Sequence, residues 1–119
     1  MIAFADRNGI DRQRRVAVNT ITLDGAVADA TARLWPQTER LRAYVIDSEG
    51  GEARLKEAIA TLWRYLDAPL SGLWYENLGA DGRFIVEAAP ATSLYHIVGA
   101  AVELWTTFGV EAPPDAERR

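Results

Sequence analysis

The sequence contains no cysteine and only one histidine, and these absences exclude several kinds of site. Without cysteine there is no disulfide, no thiolate metal site and no thiol nucleophile. A lone histidine also argues against a metal site, and no glycine-rich phosphate loop follows a predicted strand. We therefore expect no metal and no cofactor, and a reducing cytoplasm as the location.

The chain also lacks excess positive charge and long apolar runs. Its formal net charge is −4 and its pI is near 5.0, so the positive field that would gather phosphate backbones is absent. The basic cluster from Arg12 to Arg15 has no aromatic neighbours for base stacking, which is typical of a solvated loop. No apolar run approaches the roughly 20 residues of a membrane span. We expect neither nucleic acid nor a membrane as a partner.

The composition that remains is that of one small folded domain. Of the 119 residues, 49% are hydrophobic and 25% are charged, which is ordinary for a globular chain that buries one modest core. We predict one domain over residues 1–109 and a disordered tail over 110–119, because that tail is polar and contains proline.

Apolar periodicity and the positions of proline and glycine predict three helices. The first begins at Pro36, because proline is favoured at the first helical position. The second covers about residues 52–67 and is strongly amphipathic. The third begins at Thr92 or Ser93, shortly after a proline, and ends at Gly109.

Two predicted hairpins lead into the first and third helices. A β-branched run over 16–22 ends at the turn Asp24-Gly25, and the segments 73–77 and 83–88 flank the turn Asp81-Gly82. The two turns are about 57 residues apart, and each is followed some ten residues later by an apolar helix. Hairpin, inner helix, outer helix is the order found in an α/α toroid.

Three helices cannot close such a ring, so their apolar faces predict neighbours that these helices do not supply. We predict a mainly α fold that forms part of a toroid, with three main helices and short β-hairpins. A small α+β domain, in which both hairpins pack on one layer of helices, is the alternative that periodicity leaves open.

His96 is the first candidate for chemistry. It lies about one turn into the third helix, off the main apolar stripe and beside the small residues Gly99 and Ala100. Positive potential at a helix N-terminus favours the neutral ring, which proton abstraction beside a carbonyl requires. The alternative is a partly buried histidine that donates to a backbone carbonyl, and the residues alone do not decide between the two.

Two aromatic clusters are candidates for binding a sugar. Trp35 lies at the mouth of the first helix, and Gln37 and Glu39 add hydrogen-bonding groups in its first turn. A capping arrangement around a buried tryptophan is the alternative. Trp74 and Glu76 share one face of a predicted strand, which suits sugar binding and an ordinary hairpin equally.

Three motifs in order carry a resemblance to a known family: RLWPQTE at 33–39, GLW at 72–74 and APATSLYHI at 89–97. Together they resemble the C-terminal quarter of the N-acylglucosamine 2-epimerase family, over about residues 1–108. That family includes N-acylglucosamine 2-epimerases, cellobiose 2-epimerases, mannose isomerases and bacterial mannose-6-phosphate isomerases. The motifs look closest to its mannose-isomerase-like branch.

The resemblance implies a C-terminal fragment of an (α/α)6 barrel that acts on a monosaccharide or a sugar phosphate. It implies 2-epimerase or aldose–ketose isomerase chemistry without a metal, through a cis-enediol or enediolate. His96 would be a catalytic acid and base. Trp35, Gln37, Glu39 and, more weakly, Trp74 would bind the substrate.

The chain departs from the family pattern at one decisive point. In the family a partner histidine and a carbonyl-polarising arginine come from earlier in the barrel, and here no second histidine exists. We therefore expect the isolated chain to be inactive, and its partner to be the N-terminal part of the barrel or another copy in a homo-oligomer. A non-catalytic sugar-binding remnant and a helical protein-interaction module are the alternatives.

Overall fold

The computed structural model describes residues 2–47 and 51–109, which contain four helices and six short strands. The helices are α1 (Ile2–Asn8), α2 (Leu34–Ile46), α3 (Gly51–Leu66) and α4 (Thr92–Phe108). The strands are β1 (Ile10–Asp11), β2 (Val16–Ala17), β3 (Thr20–Ile21), β4 (Val27–Asp29), β5 (Ala32–Arg33) and β6 (Asn77–Leu78). The prediction of a mainly α fold with short antiparallel strands is confirmed. The tail predicted over 110–119 lies outside the described residues.

The three predicted helices are present, and only the start of α2 differs by more than one residue. This helix begins at Leu34 and not at Pro36. The first four N–H groups of a helix have no intrahelical acceptor, so proline fits the third position as well as the first. The Leu34 N–H instead donates to the Glu76 carbonyl at 2.8 Å, which ties the earlier start to another part of the chain.

The strand predicted over 16–22 is interrupted. Its first part, β2, pairs with β1, and its second part, β3, pairs with β4 through a register shift. Asn19 lies at the break, where its backbone N–H donates to the Thr31 carbonyl. Its side-chain oxygen accepts from the Arg33 N–H, so this residue joins the loop to the start of α2. The Asp24-Gly25 turn is confirmed, with Gly25 at a φ of +92° that favours glycine.

The second predicted hairpin is present without a regular ladder between its arms. An isolated bridge between Leu78 and Phe84 joins them, together with the Ile85 N–H, which donates to the Asn77 carbonyl at 2.9 Å. The main partner of β6 is β5, where Ala32 pairs with Leu78. Because β5 runs directly into α2, this pairing holds the beginning of α2 against the segment that leads to α4.

Helix α2 is the centre of the fold and packs against both α3 and α4. The core around it is made of buried side chains, chiefly those of Leu34, Leu41, Tyr44, Leu62, Tyr65 and Leu78. The Tyr65 hydroxyl donates to the Ala32 carbonyl at 2.9 Å, and this hydrogen bond joins α3 to the strand that precedes α2. The same hydroxyl is buried, and desolvation raises the pKa of Tyr65 far above its ordinary value.

Helix α4 has the opposite character, because most of its large apolar side chains face solvent. Between 49% and 79% of each remains exposed, in Leu94, Tyr95, Val98, Val102, Trp105 and Phe108. An apolar helix face of this kind is typical of a surface that packs against further structure. Within the described ranges, every helix is too short or too polar to span a lipid bilayer.

Candidate functional site

Trp35 and Glu39 from α2 meet His96 from α4 near the beginnings of these two helices. The spacing of four residues places Trp35 and Glu39 on the same face of α2. His96 Nδ1 lies 3.6 Å from Glu39 Oε1, and the centroids of the His96 and Trp35 rings are 5.9 Å apart with 35° between their planes. Three of the residues predicted for a sugar site therefore come together.

Arg42 belongs to the same group, although it is not among the residues predicted for the site. Its Nη1 lies 3.3 Å from Glu39 Oε1, the same oxygen that faces His96. A β-carbon added to Gly99 would lie 3.8 Å from this guanidinium, so Arg42 extends over the glycine of α4. The sequence does contain a signal for Arg42, because it follows Glu39 by three residues and side chains at this spacing on a helix are neighbours.

The cluster forms an open surface that a ligand can reach. The exposed fractions of the His96, Glu39 and Arg42 side chains are 34%, 41% and 38%. Trp35 is also exposed, and the rings of Tyr95 and His96 are nearly perpendicular at a centroid distance of 5.7 Å. At this exposure water screens the charges, so the pair of His96 and Glu39 orients the ring more than it stabilises the fold.

Buried Glu76 fixes the relative position of the two helices. Its Oε2 accepts a hydrogen bond from Ser93 Oγ at 2.7 Å, in the first turn of α4. Its backbone carbonyl accepts the Leu34 N–H at the start of α2. Glu76 therefore connects the starts of the two helices that carry Trp35 and His96. Its position in the sequence suggested contact with a sugar, and in the structure its carboxylate accepts the hydrogen bond from Ser93.

Gln37 lies apart from the cluster, and its assignment to a sugar site stays a prediction. It is fully buried. Its Nε2 donates to the carbonyls of Ala17 and Arg33, each at 2.8 Å, and its Oε1 accepts the Ala17 N–H at 2.9 Å. Both amide protons are used, so Gln37 joins β2 to α2 and has no donor for a sugar.

Trp74 is partly buried against the hydrophobic core. Its indole Nε1 is buried and has no hydrogen-bond partner among the residues that the structure describes. No ring contact joins Trp74 to Trp35 or to His96 within those residues. Its assignment to a sugar site stays a prediction.

The residues of the cluster offer a base, a carboxylate, a guanidinium and an indole, but not a set of metal ligands. Across residues 2–47 and 51–109, no three histidine, aspartate or glutamate side chains are placed to hold a metal ion. The chemistry that this arrangement supports is proton transfer by an imidazole beside an aromatic surface.

The chain is similar to known proteins in both sequence and fold. Residues 1–100 match the family model described as N-acylglucosamine 2-epimerase (GlcNAc 2-epimerase). A mannose-6-phosphate isomerase of Rhizobium meliloti (strain 1021) is 42% identical over 112 residues, covering 87% of this chain and 29% of that protein. A crystal structure of D-mannose isomerase has a TM-score of 0.70 at 20% identity, over 88% of this chain and 29% of the other.

The similarity is to the C-terminal part of the D-mannose isomerase chain. The chain thus spans 29% of the length of each of these two proteins. Such partial coverage by a mainly helical structure is consistent with a fragment of a helical barrel, and it favours the predicted partial toroid over a self-contained α+β domain.

Proposed function

Because this chain belongs to the N-acylglucosamine 2-epimerase family, we propose that it forms part of the active site of a sugar 2-epimerase or aldose–ketose isomerase. The observation that carries the proposal is the meeting of Trp35, Glu39 and His96 at the starts of two adjacent helices. Sugar epimerases and isomerases are the enzymes of this family, so a base beside an aromatic surface has a direct use here.

His96 is the proposed acid and base. In an opened aldose it would remove the proton from C2, beside the carbonyl carbon, to give a cis-enediol or enediolate. Return of a proton to C2 from the opposite face yields the epimer, whereas delivery to C1 yields the ketose. Because Nδ1 faces Glu39, Nε2 is the ring atom available to the substrate.

Glu39 is proposed to orient His96. A carboxylate that accepts a hydrogen bond from Nδ1 holds the imidazole in the tautomer whose Nε2 is free to take a proton. The distance of 3.6 Å is longer than a hydrogen bond, and such contacts commonly shorten when substrate binds. Arg42 on the same carboxylate oxygen balances the charge of Glu39.

Trp35 is proposed to stack on the apolar face of the sugar. Its indole is 43% exposed and lies beside the His96 ring, so a sugar ring on this surface would bring its opened end to the base. The substrate class is a monosaccharide or a sugar phosphate, and the two related isomerases act on mannose compounds by name. Trp74 is a further proposed contact on the resemblance alone.

Epimerisation needs a second group that delivers a proton to the opposite face of the enediol, and isomerisation needs one that polarises the carbonyl and moves a proton between O1 and O2. His96 is the only histidine of the 119 residues. We propose that the second acid/base comes from the earlier part of a complete barrel or from another copy. The purified 119-residue chain should therefore show no turnover of mannose, mannose 6-phosphate or N-acetylmannosamine in a coupled assay. Turnover that His96→Ala abolishes would contradict this part of the proposal.

The exposed apolar side chains of α4 favour a second candidate function, a helical module that binds protein. In that case the mass of the chain in solution should rise with concentration. Replacing Val98 and Trp105 with lysine should abolish the rise, and sugar should have no effect. A monomer at all concentrations whose His96 resonances shift with mannose would instead support the sugar site.

A further inference from the structure

A cavity of about 1180 Å³ lies among α1, the turn over 12–15 and α3. None of Trp35, Glu39 and His96 is among its lining residues, so it is separate from the proposed sugar site. Its ionisable walls are five arginines and four carboxylates, in a chain whose net charge is −4. Arginines therefore outnumber carboxylates in this cavity, although the chain as a whole is acidic.

The carboxylates of this cavity are mostly neutralised by arginines that are themselves largely buried. The pairs are Arg14 with Asp11 at 2.8 Å, Arg54 with Asp6 at 2.6 Å and Arg40 with Glu57 at 2.8 Å. The fourth carboxylate, Asp81, accepts the backbone N–H of Arg83. A backbone N–H does not cancel the charge of a carboxylate, so among the described residues Asp81 is the one lining carboxylate without an ion pair, and it faces three remaining arginines.

Those remaining arginines are Arg12, Arg15 and Arg64, and all three are exposed. Within the described ranges neither Arg12 nor Arg64 has a carboxylate oxygen within 4 Å, and the nearest to Arg15 is on Glu57 at 4.0 Å. Arg12 donates one hydrogen bond to the Asp6 carbonyl, and Arg64 donates one to the Arg14 carbonyl. Since a guanidinium has five N–H groups, most of their donors remain free.

The backbone that carries Arg12 and Arg15 is held in place by several hydrogen bonds. Asp11 Oδ1 accepts from the N–H groups of Gln13 and Arg14, each at 3.0 Å. Arg15 has a φ of +61°, a conformation uncommon for a residue with a side chain. Its carbonyl accepts from Arg40 at 2.8 Å and from Thr61 at 2.7 Å. The turn is therefore preorganised and does not have to be ordered by a ligand.

We propose that this cavity binds a small phosphate-bearing molecule through Arg12, Arg15 and Arg64. Guanidinium groups match phosphate oxygens with paired N–H donors, and they bind phosphate better when no carboxylate already occupies them. The unpaired Asp81 in the wall and the net charge of −4 disfavour a long polyanion such as a nucleic acid, whereas a compact phosphate needs only the exposed arginines. The basic turn over 12–15, for which the sequence predicts a solvated loop, would thus bind a ligand.

The test is isothermal titration of the full 119-residue chain with inorganic phosphate, pyrophosphate and glucose 6-phosphate at low ionic strength. The triple variant Arg12→Gln, Arg15→Gln, Arg64→Gln should bind each of them about tenfold more weakly, or worse. Its matched control carries the same charge change on exposed arginines that do not line the cavity, in Arg7→Gln, Arg33→Gln, Arg83→Gln, and should keep most of the affinity.

Equal affinities for inorganic phosphate and the sugar ester would assign the cavity to the phosphate group itself. Tighter binding of the ester would assign it to a phosphorylated sugar, and either result supports the proposal. Absence of binding to the wild-type chain, or equal losses in the two triple variants, would overturn it. If the cavity triple unfolds, Arg64→Gln alone provides the same comparison against Arg83→Gln. His96→Ala should bind phosphate normally, so this proposal and the sugar site fail separately.

Discussion

At the scale of single residues, the role of a polar side chain here is decided by where its hydrogen bonds go. Glu39 and Gln37 are two positions apart on α2, yet Glu39 is 41% exposed beside His96 and Gln37 is fully buried against β2. The sequence suggested both for the sugar site, because a pattern of polar residues does not reveal which face of a helix is covered. The Gln37 side chain forms hydrogen bonds with the backbone N–H and carbonyl of Ala17, which lies 20 residues earlier in the chain.

Gln37→Ala should destabilise the fold, because it removes three hydrogen bonds and leaves a buried gap. We expect a loss of about 2–4 kcal/mol in the free energy of unfolding, measured with urea. Gln13→Ala changes the same side chain at an exposed position and should cost less than about 0.5 kcal/mol. Equal effects of the two substitutions would show that Gln37 does not join β2 to α2.

Acid should weaken the basic turn through Asp11. The backbone N–H of Arg14 is the main cause that holds the pKa of Asp11 below its usual value, and the Arg14 side chain lowers the pKa further. A carboxyl whose pKa is lower in the folded chain contributes stability above its unfolded pKa of about 3.9, and this is lost as pH falls through the folded value.

Asp11→Asn should therefore lower the thermal midpoint at neutral pH and should flatten its dependence on pH below about 4. Thermal unfolding followed by circular dichroism from pH 7 to pH 2 measures both effects. Asp67→Asn, at an exposed position, serves as the control. An Asp11→Asn chain whose midpoint falls with acid as steeply as that of the wild type would contradict this account.

At the scale of elements, the three main helices were predictable and the strands were predictable only in part. Helices α3 and α4 were predicted to within one residue, because apolar spacing and flanking proline and glycine are local signals. The strands are two or three residues long; β3 and β4 flank the predicted Asp24-Gly25 turn, whereas β5 and β6 depend on a distant partner. The contact of β6 with β5 joins residues more than 40 positions apart, and no local pattern in either segment indicates it.

The contact between Ser93 and Glu76 is the element-scale feature that aligns α4 with α2. Ser93→Ala would leave the buried Glu76 carboxylate without its hydroxyl donor, so we expect a loss of about 1–3 kcal/mol in the free energy of unfolding. Thr92→Ala, at the neighbouring exposed position, should cost less. Chemical denaturation of the two variants measures the difference, and an unchanged Ser93→Ala chain would show that the hydrogen bond does not hold the helices together.

At the scale of the whole molecule, the described part of the chain has a well-packed side around α2 and an apolar side along α4. The packed side is reinforced by ionic contacts among α1, α2 and α3, in which Arg54 lies 4.1 Å from the Tyr44 ring and pairs with Asp6. The apolar side of α4 and the coverage of 29% of each related isomerase fit a segment of a larger helical barrel. The sequence indicated this architecture through its repeat of hairpin and helix.

The central claim is that His96 and Glu39 serve as one side of a sugar epimerase or isomerase site. A chimera tests it, in which residues 1–108 of this chain replace the matching segment of the Rhizobium meliloti mannose-6-phosphate isomerase, to which the chain is 42% identical. The chimera supplies the rest of the barrel, so its activity depends on whether these residues can act as the proposed half of the site.

The deciding measurement is kcat for isomerisation of mannose 6-phosphate by this chimera and its variants. The account predicts an active chimera in which His96→Gln lowers kcat by about a hundredfold or more, Glu39→Gln by about tenfold or more, and Glu103→Gln, on the same helix as His96, leaves it nearly unchanged. An active chimera that keeps its kcat after His96→Gln would contradict the assignment of His96 as the acid and base.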